Sequence, residues 1–333
     1  MRFEGAMKKF LLFSLISIIS AVQPITFTYK KVGDLDLVLD VYVPETTIYT
    51  NYPVIFIIHG GGYLAGTTKY CSFSKKQLDE ILHRGWVAVS IEYRLAPAVL
   101  LKEIVQDCHD AYTWVRTELI KHVQIDSDKI IVFGGSAGGG LAVISGYKFF
   151  PPPKAIISFY PLCTNFLDPY CYNSYAPINE SIISQANKLK QNISAYIVEN
   201  YHTDLRYIFF LDILYTGRIG WLLVTENFDD PPVKIEEKLK EFSAVFNMGK
   251  NYPPTYLVHS LNDSFVPYNQ SVQMANRLKE LKIEFKLDLV PDAEHGFDLE
   301  DISIEAWKEH ILPVFEFAQK HISGKVQNRD IDL

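Results

Sequence analysis

The chain has 333 residues, of which 48% are hydrophobic and 14% aromatic, and its formal net charge is −7. This hydrophobic content supports a sizeable core and excludes a disordered chain, while the length suits one large domain or two smaller ones. The acidic balance, without any cluster of basic residues, excludes a nucleic-acid-binding protein.

The first 22 residues have the pattern of a secretory signal peptide. An apolar run at 10–19 is flanked by three basic residues before it and two small residues after it, which are Arg2, Lys8, Lys9, Ser20 and Ala21. The run is too short to span a bilayer comfortably. We therefore expect residues 1–22 to be a signal peptide and the protein to be secreted or in the secretory pathway. A buried first strand or an amphipathic anchor of a cytoplasmic protein is the alternative.

Eight short runs rich in β-branched and aromatic residues predict strands. Their approximate bounds are 26–29, 37–42, 54–58, 87–93, 130–133, 155–159, 255–258 and 285–290. Helical periodicity follows five of these runs, over about 74–84, 104–121, 138–149, 269–281 and 302–320. Two early strands and then alternating strands and helices predict an α/β fold. Its doubly wound sheet is expected to have eight mostly parallel strands and an antiparallel edge.

A run of three glycines, Gly60-Gly61-Gly62, follows His59 and the apolar strand at 54–58. Successive glycines let the backbone approach a substrate carbonyl closely and turn its N–H groups toward it. We expect the N–H groups of Gly61 and Gly62, with that of Ala137, to form an oxyanion hole. A glycine-rich hairpin is the alternative interpretation.

The strand at 130–133 leads into Gly134-Gly135-Ser136-Ala137-Gly138 and then into a helix. A strand, a G-x-S-x-G turn and a helix place the serine oxygen at the end of the strand, above the helix N-terminus. Developing negative charge is favoured there by the helix dipole and the free N–H groups. We therefore expect Ser136 to be a nucleophile. An ordinary glycine turn is the alternative.

The alternation of strands and helices stops between about residues 164 and 251. This stretch is rich in Tyr, Phe and Ile, and residues 181–201 show helical periodicity. We expect a cap inserted between core strands and lying over the serine. Candidates to line a pocket beneath the cap are Phe166, Tyr170, Tyr201, Phe209, Phe210 and Trp221. The alternative for each of these residues is to pack the cap onto the sheet.

A serine nucleophile needs a base and a group that orients the base. Asp263 follows the strand at 255–258, and His295 lies in the loop after the strand at 285–290. Catalytic side chains of parallel sheets gather at this carboxyl edge, so we expect Ser136, Asp263 and His295 to form a catalytic triad. An Asx-turn is the alternative role of Asp263. The competing carboxylates are Asp288, Asp292, Glu294 and Asp298, and none of them follows a strand upstream of the histidine as the triad order requires.

Most of the remaining histidines and cysteines indicate structural roles. His259 lies within a strand and is expected in the core, with a second base as the alternative. Five histidines on helices are expected on solvated faces, namely His83, His109, His122, His310 and His321. No histidine or cysteine pair has the spacing of a zinc site, so no metal is expected. Cys163 and Cys171 are close enough in sequence to pair, although four dispersed thiols are equally ordinary in a reducing compartment.

Five motifs in order resemble those of the hormone-sensitive-lipase-like esterase group of α/β-hydrolases, especially the fungal α/β-hydrolase fold-3 proteins. The motifs are His59–Tyr63, Tyr93–Pro97, Gly134–Gly138, His259–Asp263 with Val266 and Pro267, and Glu294–Phe297. The resemblance implies the same triad and the same oxyanion donors that the residues themselves indicate. We place the hydrolase domain at residues 25–322 and a C-terminal tail at 323–333.

These features predict a serine carboxylesterase that cleaves small to medium acyl esters through an acyl-enzyme and needs no cofactor. The expected partner is a small-molecule ester, with no nucleic acid and no stable membrane span. The last third resembles the catalytic domain of prolyl-oligopeptidase-type enzymes about as well, so a peptidase or amidase is the first alternative. A catalytically silent ligand-binding module is the second. The acyl group, the alcohol and the oligomeric state stay open.

Overall fold

Eight apolar stretches of the chain form the strands of one sheet in the described residues of the computed structural model, which are 22–45, 48–70, 72–173, 180–191, 205–227 and 230–323. The strands are β1 (Ile25–Val32), β2 (Leu35–Tyr42), β3 (Tyr52–Ile58), β4 (Val87–Ile91), β5 (Ile125–Gly135), β6 (Ala155–Phe159), β7 (Thr255–Ser260) and β8 (Phe285–Val290). Their order is β1-β2-β4-β3-β5-β6-β7-β8. The β1–β2 and β2–β4 pairs are antiparallel, and the other neighbours are parallel. The predicted mostly parallel sheet with an antiparallel edge is confirmed.

Helices cover both faces of this sheet, as the doubly wound prediction requires. In chain order they are α1 (Lys75–His83), α2 (Leu101–Thr117), α3 (Ala137–Lys148), α4 (Glu180–Gln191), α5 (Leu205–Tyr215), α6 (Ile219–Val224), α7 (Pro232–Phe242), α8 (Ala244–Asn247) and α9 (Asn269–Glu280). The last helix, α10, comprises Ile304–Ala306, a π-helical turn at Trp307–Ile311 and Leu312–Ser323. One apolar cluster lies under α2, α3 and α9, and a second lies under α1 and α10.

The middle of the sheet is apolar because both faces of its central strands are covered. In β3 every residue from Val54 to Ile58 has 0% exposure. A strand with one solvated face would instead alternate apolar and polar residues. The carboxyl ends of β3, β5, β7 and β8 therefore emerge side by side from a rigid, buried sheet. The loops after these four strands carry the predicted functional residues.

The described residues between β6 and β7 include the five helices α4 to α8, and this is the stretch, 164–251, where the sequence predicts an inserted cap. The predicted helix at 181–201 corresponds to α4, and its later part lies outside the described residues. Cys163 and Cys171 form a disulfide at the start of this cap. The Phe166 N–H donates to Ser243 Oγ at 2.9 Å, which joins the two ends of the cap.

Several expectations concern residues beyond those described. Residues 1–21 and 324–333, where a signal peptide and a tail are expected, are among them, and so is Cys71. Within the described residues, no helix is both long and apolar enough to cross a membrane.

The prediction of a solvated helix face is wrong for His310. This residue is only 8% exposed, and its Nδ1 lies 2.9 Å from Asp288 Oδ2 on β8. A carboxylate partner makes burial of an imidazole tolerable, and helical periodicity alone does not reveal such a partner. His83 and His122 are exposed as expected.

Candidate active site

Ser136 stands on a sharp turn between β5 and α3. Its φ of 58° and ψ of −122° define a backbone conformation that strains a residue with a side chain by about 1–3 kcal/mol. Space requires glycine on both sides of it. A Cβ on Gly134 would lie 2.3 Å from the Gly138 oxygen, and one on Gly138 would lie 2.0 Å from the Ile58 oxygen. The strand, the turn and the helix thus fix the Ser136 hydroxyl at the carboxyl edge of the sheet.

His295 lies in the loop after β8 and contacts this hydroxyl. Its side chain is 10% exposed, and its Nε2 is 3.0 Å from Ser136 Oγ. Its Nδ1 is 2.8 Å from Oδ2 of Asp263, whose side chain is fully buried. A carboxylate only accepts hydrogen bonds, so Nδ1 carries a proton and Nε2 is left to accept the hydrogen of Ser136. The three residues that the sequence predicts as a triad therefore lie in one hydrogen-bonded chain.

Both carboxylate oxygens of Asp263 are engaged. Its Oδ1 accepts the backbone N–H groups of Phe265 at 2.9 Å and Val266 at 2.8 Å. The Asx-type turn that the sequence suggests as an alternative is thus present together with the contact to His295. Burial alone would raise the pKa of Asp263, but the charge of His295 and hydrogen bonds from His259 and His295 hold it well below its usual range. This carboxylate stays ionised at ordinary pH.

The carbonyl contacts after β3 set the directions of two N–H groups. The Gly60 oxygen lies 3.4 Å from the Tyr93 hydroxyl, and the Gly61 oxygen accepts the N–H of Ala65 at 3.0 Å. In a trans peptide the C=O and the following N–H point in opposite directions. The N–H groups of Gly61 and Gly62 therefore point away from these partners.

The N–H of Ala137 is placed in the same way at the start of α3. The Ser136 oxygen accepts the N–H groups of Gly140 and Leu162, both at 2.9 Å, so the N–H of Ala137 points away from them. Ser136 lines one pocket together with Gly61 and Gly62. Of the three expected oxyanion donors, Gly61 and Gly62 line this pocket. Ala137 is the first residue of α3, directly after the pocket residue Ser136.

His59 and Tyr93 support the glycine run from the buried side. Their rings stack with 4.1 Å between centroids, and the Tyr93 hydroxyl donates to the His59 oxygen at 2.9 Å. Burial lowers the pKa of His59 to about 4, so its imidazole is neutral. Next to Tyr93, Arg94 donates to both oxygens of the buried Asp107 at 2.7 and 2.9 Å. The motif at 93–97 thus holds the loop after β3 in place.

A pocket with a volume of about 670 Å³, including the part open to solvent, lies over Ser136. Of the cap candidates, Phe210 on α5 lines it, and its ring lies where a side chain on Gly62 would be. Tyr170 instead donates through its hydroxyl to the Phe265 oxygen. Three further candidates are buried but do not line this pocket, namely Phe166, Phe209 and Trp221. The last candidate, Tyr201, lies outside the described residues.

Sequence reasoning missed a polar group beneath His295. The Tyr160 ring packs 4.5 Å from the His295 ring, and its hydroxyl donates to Asp298, which also accepts from Gln77 at 2.8 Å. Burial raises the pKa of Asp298, and these two donors only partly offset that effect. Tyr160 directly follows β6, so the rule that found Asp263 also applies to it. A single tyrosine after a strand is too common to be singled out on that ground.

The other carboxylates beside the base make local contacts. Glu294 accepts from Ser264 at 3.0 Å, and Asp292 accepts from Asn262 at 3.1 Å. In the described part of the chain, no group of three His, Cys, Asp or Glu side chains could hold a metal ion. What the arrangement offers chemically is a hydroxyl, a base, a buried acid and backbone N–H donors.

Solved structures share this fold. Esterase 2 of Thermogutta terrifontis, in its sarin-phosphonylated form, is 21% identical with a TM-score of 0.64, covering 93% of this chain and 98% of that one. An acetyl ester-xyloside bifunctional hydrolase from Caldicellulosiruptor lactoaceticus is 21% identical with a TM-score of 0.60, covering 91% and 99%. At this level of identity the likeness shows the fold.

Longer fungal proteins contain a similar stretch of sequence. The non-reducing polyketide synthase ascC of Acremonium egyptiacum is 29% identical over 350 residues, covering 91% of this chain and 15% of the synthase. The non-reducing polyketide synthase stbA of Stachybotrys bisbyi is 26% identical, covering 88% of this chain and 14% of the synthase. The chain thus spans about a seventh of the length of these relatives.

A family model decides the membership of the chain. The model described as BD-FAE matches residues 39–278, which is more than half of the chain. This is a family of esterases with the α/β-hydrolase fold, so the predicted fold and the resemblance to α/β-hydrolase esterases are confirmed. The chain belongs to the BD-FAE family.

Proposed function

We propose that this protein is a serine carboxylesterase that cleaves small to medium acyl esters. The observation that carries the proposal is the chain of contacts from Asp263 to His295 at 2.8 Å and on to Ser136 at 3.0 Å. A serine hydroxyl is a weak nucleophile at neutral pH, and a correctly oriented imidazole is what activates it.

In the first step Ser136 Oγ attacks the ester carbonyl while His295 Nε2 takes its proton. The carbonyl oxygen becomes an oxyanion, and His295 becomes an imidazolium. The low pKa of Asp263 keeps the carboxylate ionised beside Nδ1, where it stabilises that positive charge. The same contact holds His295 in the tautomer that leaves Nε2 free to accept.

The N–H groups of Gly61, Gly62 and Ala137 stabilise the oxyanion. Backbone donors fixed before the reaction require no reorganisation when the charge develops. Each such donor contributes about 3 kcal/mol to lowering the barrier. The strained turn at Ser136 supports this role, because it places the hydroxyl beside the first N–H groups of α3.

The alcohol leaves after it takes the proton from His295 Nε2, and an acyl ester on Ser136 remains. A water molecule then loses a proton to the same nitrogen and attacks the acyl carbonyl, and the carboxylic acid is released. Every proton in the cycle passes through His295, so the scheme needs no cofactor.

The direct test is turnover of p-nitrophenyl acetate, butyrate, octanoate and palmitate together with a proline-type peptide anilide. We expect fast hydrolysis of the shorter esters by the wild-type protein. The Ser136→Ala variant should lose more than about 1,000-fold in kcat while its thermal unfolding stays close to that of the wild type.

The other arms of this test distinguish the alternatives. Anilide cleavage with poor ester turnover would identify a peptidase or amidase. Absence of turnover on all five substrates by a folded protein, together with saturable binding of an ester, would favour a ligand-binding module. Equal turnover by wild type and Ser136→Ala would contradict the proposal.

A second candidate is hydrolysis of acyl thioesters, which the similarity to non-reducing polyketide synthases over about nine-tenths of the chain favours. Polyketide synthesis handles acyl groups bound to sulfur. The same triad would attack a thioester carbonyl and release a thiol that needs less protonation. Comparing butyryl-N-acetylcysteamine with p-nitrophenyl butyrate tests this. A kcat/KM at least ten times higher for the thioester would replace the carboxylesterase assignment.

A further inference from the structure

The strand that leads to Asp263 carries a second histidine beside it. His259 on β7 is fully buried, and its Nε2 lies 2.9 Å from the Val266 oxygen and 3.3 Å from Asp263 Oδ2. Its Nδ1 lies 2.8 Å from Ser271 Oγ on α9. The proposed reaction gives this ring no task. The sequence favours a core position for it over a role as a second base.

The neighbours of His259 determine where its proton lies. Both groups near Nε2 are pure acceptors, a backbone carbonyl and a carboxylate, so Nε2 carries a hydrogen. The Ser271 hydroxyl is a partner for Nδ1 on the other side of the ring. The Nε2–H of His259 therefore donates toward the Val266 oxygen and lies beside Asp263.

His259 and Asp263 hold the same turn from two sides. The N–H of Val266 donates to Asp263 Oδ1 at 2.8 Å, while the oxygen of Val266 faces His259. The Phe265 ring in this turn packs 5.6 Å from the His295 ring. A shift of this turn would therefore move Asp263 together with the Phe265 ring that packs against His295.

We propose that His259 is a positioning residue for the acid of the triad. Its Nε2–H fixes the turn from Asp263 to Val266 and so keeps Oδ2 of Asp263 directed at Nδ1 of His295. The inference rests on the proposed function, in which this pair stabilises the transition state. His259 is not among the residues that line the pocket, so it acts through Asp263 rather than on the substrate.

Four other titratable side chains surround the Asp263–His295 pair. Tyr160 and its acceptor Asp298 lie under His295. Tyr170 donates to the Phe265 oxygen in the turn, and Glu294 accepts from Ser264. Substitutions at position 259 keep all four side chains, and His259→Phe also keeps a ring against Tyr160, which packs edge-on 6.4 Å from the His259 ring. A change in pH dependence between variants therefore reports on the contact between His259 and the acid.

The experiment compares His259→Phe, His259→Gln and Ser271→Ala in the full chain, after thermal unfolding has shown that each variant is folded. Phenylalanine keeps the ring shape but removes the donor. Glutamine can return an N–H close to the position of Nε2. Ser271→Ala is the matched control, because it removes a buried hydrogen bond of the same ring and leaves the Nε2–H.

The readouts are kcat, KM and the pH profile of kcat/KM for p-nitrophenyl butyrate. We expect His259→Phe to lose about 10- to 100-fold in kcat with little change in KM. The acid limb should move to lower pH, because an acid no longer directed at Nδ1 stabilises the imidazolium of His295 less. His259→Gln should regain most of the wild-type kcat and most of the wild-type position of the acid limb. Ser271→Ala should keep the wild-type acid limb.

A folded His259→Phe variant with wild-type kcat and an unmoved acid limb would overturn the proposal. Equal effects of His259→Phe and Ser271→Ala would also overturn it, since both would then reflect packing. An NMR titration of the His295 ring in the wild type and His259→Phe gives an independent result. It needs no turnover, so a wild-type protein without esterase activity contradicts the proposed function while the titration still decides the role of His259.

Discussion

The position of one proton, on Nδ1 of His295, governs the proposed chemistry. Asp263 accepts that proton in a hydrogen bond and thereby leaves Nε2 free for Ser136. A side chain of the same shape that donates instead would favour the other tautomer. The acid can therefore be tested without disturbing the shape of the site.

The Asp263→Asn variant should lose about 1,000- to 10,000-fold in kcat, because its amide would place the imidazole proton on Nε2, next to Ser136. The amide oxygen can still accept the N–H groups of Phe265 and Val266, so the turn should persist. Steady-state kinetics with p-nitrophenyl butyrate and thermal unfolding check both points. A loss of less than tenfold in a folded variant would contradict the role of Asp263.

Single residues were predictable from sequence where an order of motifs constrained them. Ser136, Asp263 and His295 each directly or closely follow a strand, and the parallel sheet brings such positions to one edge. Burial of lone polar residues was not predictable. His310 is buried beside its hydrogen-bond partner Asp288, and Asp298 is buried beside its donor Tyr160. In both pairs the partner is distant in sequence.

The strands were predictable as elements because each contains a short run rich in β-branched, aromatic or other apolar residues. Their ends depend on partners. β5 begins at Ile125, earlier than its apolar run suggests, because Ile125 pairs with Tyr52 of β3. The π-helical turn at Trp307–Ile311 likewise has no signature in the helical period. Sequence patterns therefore predict the strands and the helices between them but not the cap helices α5 to α8, and tertiary pairing sets the bounds of the elements.

Helix α5 of the cap lines the pocket over Ser136 through Phe210. Its ring fills the space beside Gly62, where it would restrict the acyl group. The Phe210→Ala variant should therefore have a higher kcat/KM for esters with longer acyl chains. An added methylene buried in the enlarged pocket contributes about 0.8 kcal/mol, which is about fourfold in kcat/KM for each methylene accommodated. The ratio of octanoate to acetate turnover measures this gain.

Phe209 provides the matched control for that variant. It is the preceding residue on the same helix and is fully buried, but it is not among the residues lining the pocket. Phe209→Ala should lower stability while keeping the wild-type chain-length preference. If both variants changed the octanoate to acetate ratio equally, the effect would come from loosening of the cap and not from the wall at Phe210.

At the scale of the whole molecule, the sheet brings residues that are far apart in sequence together in one site. Ser136 and His295 are 159 residues apart in the chain, yet their polar atoms lie 3.0 Å apart. The fold class was predictable because composition, strand order and motif order all favour one architecture. The substrate was not, because the pocket walls come from separate loops and from the cap, whose residues follow no recognisable code.

Covalent labelling with a fluorophosphonate, followed by peptide mass spectrometry, tests the central claim most directly. The reagent reacts with a serine that is activated by a neighbouring base. We predict one adduct per chain on the peptide that contains Ser136, formed at neutral pH and absent from the His295→Ala variant. An ester-hydrolysing protein that stays unlabelled, or that carries its adduct on another residue, would contradict the account.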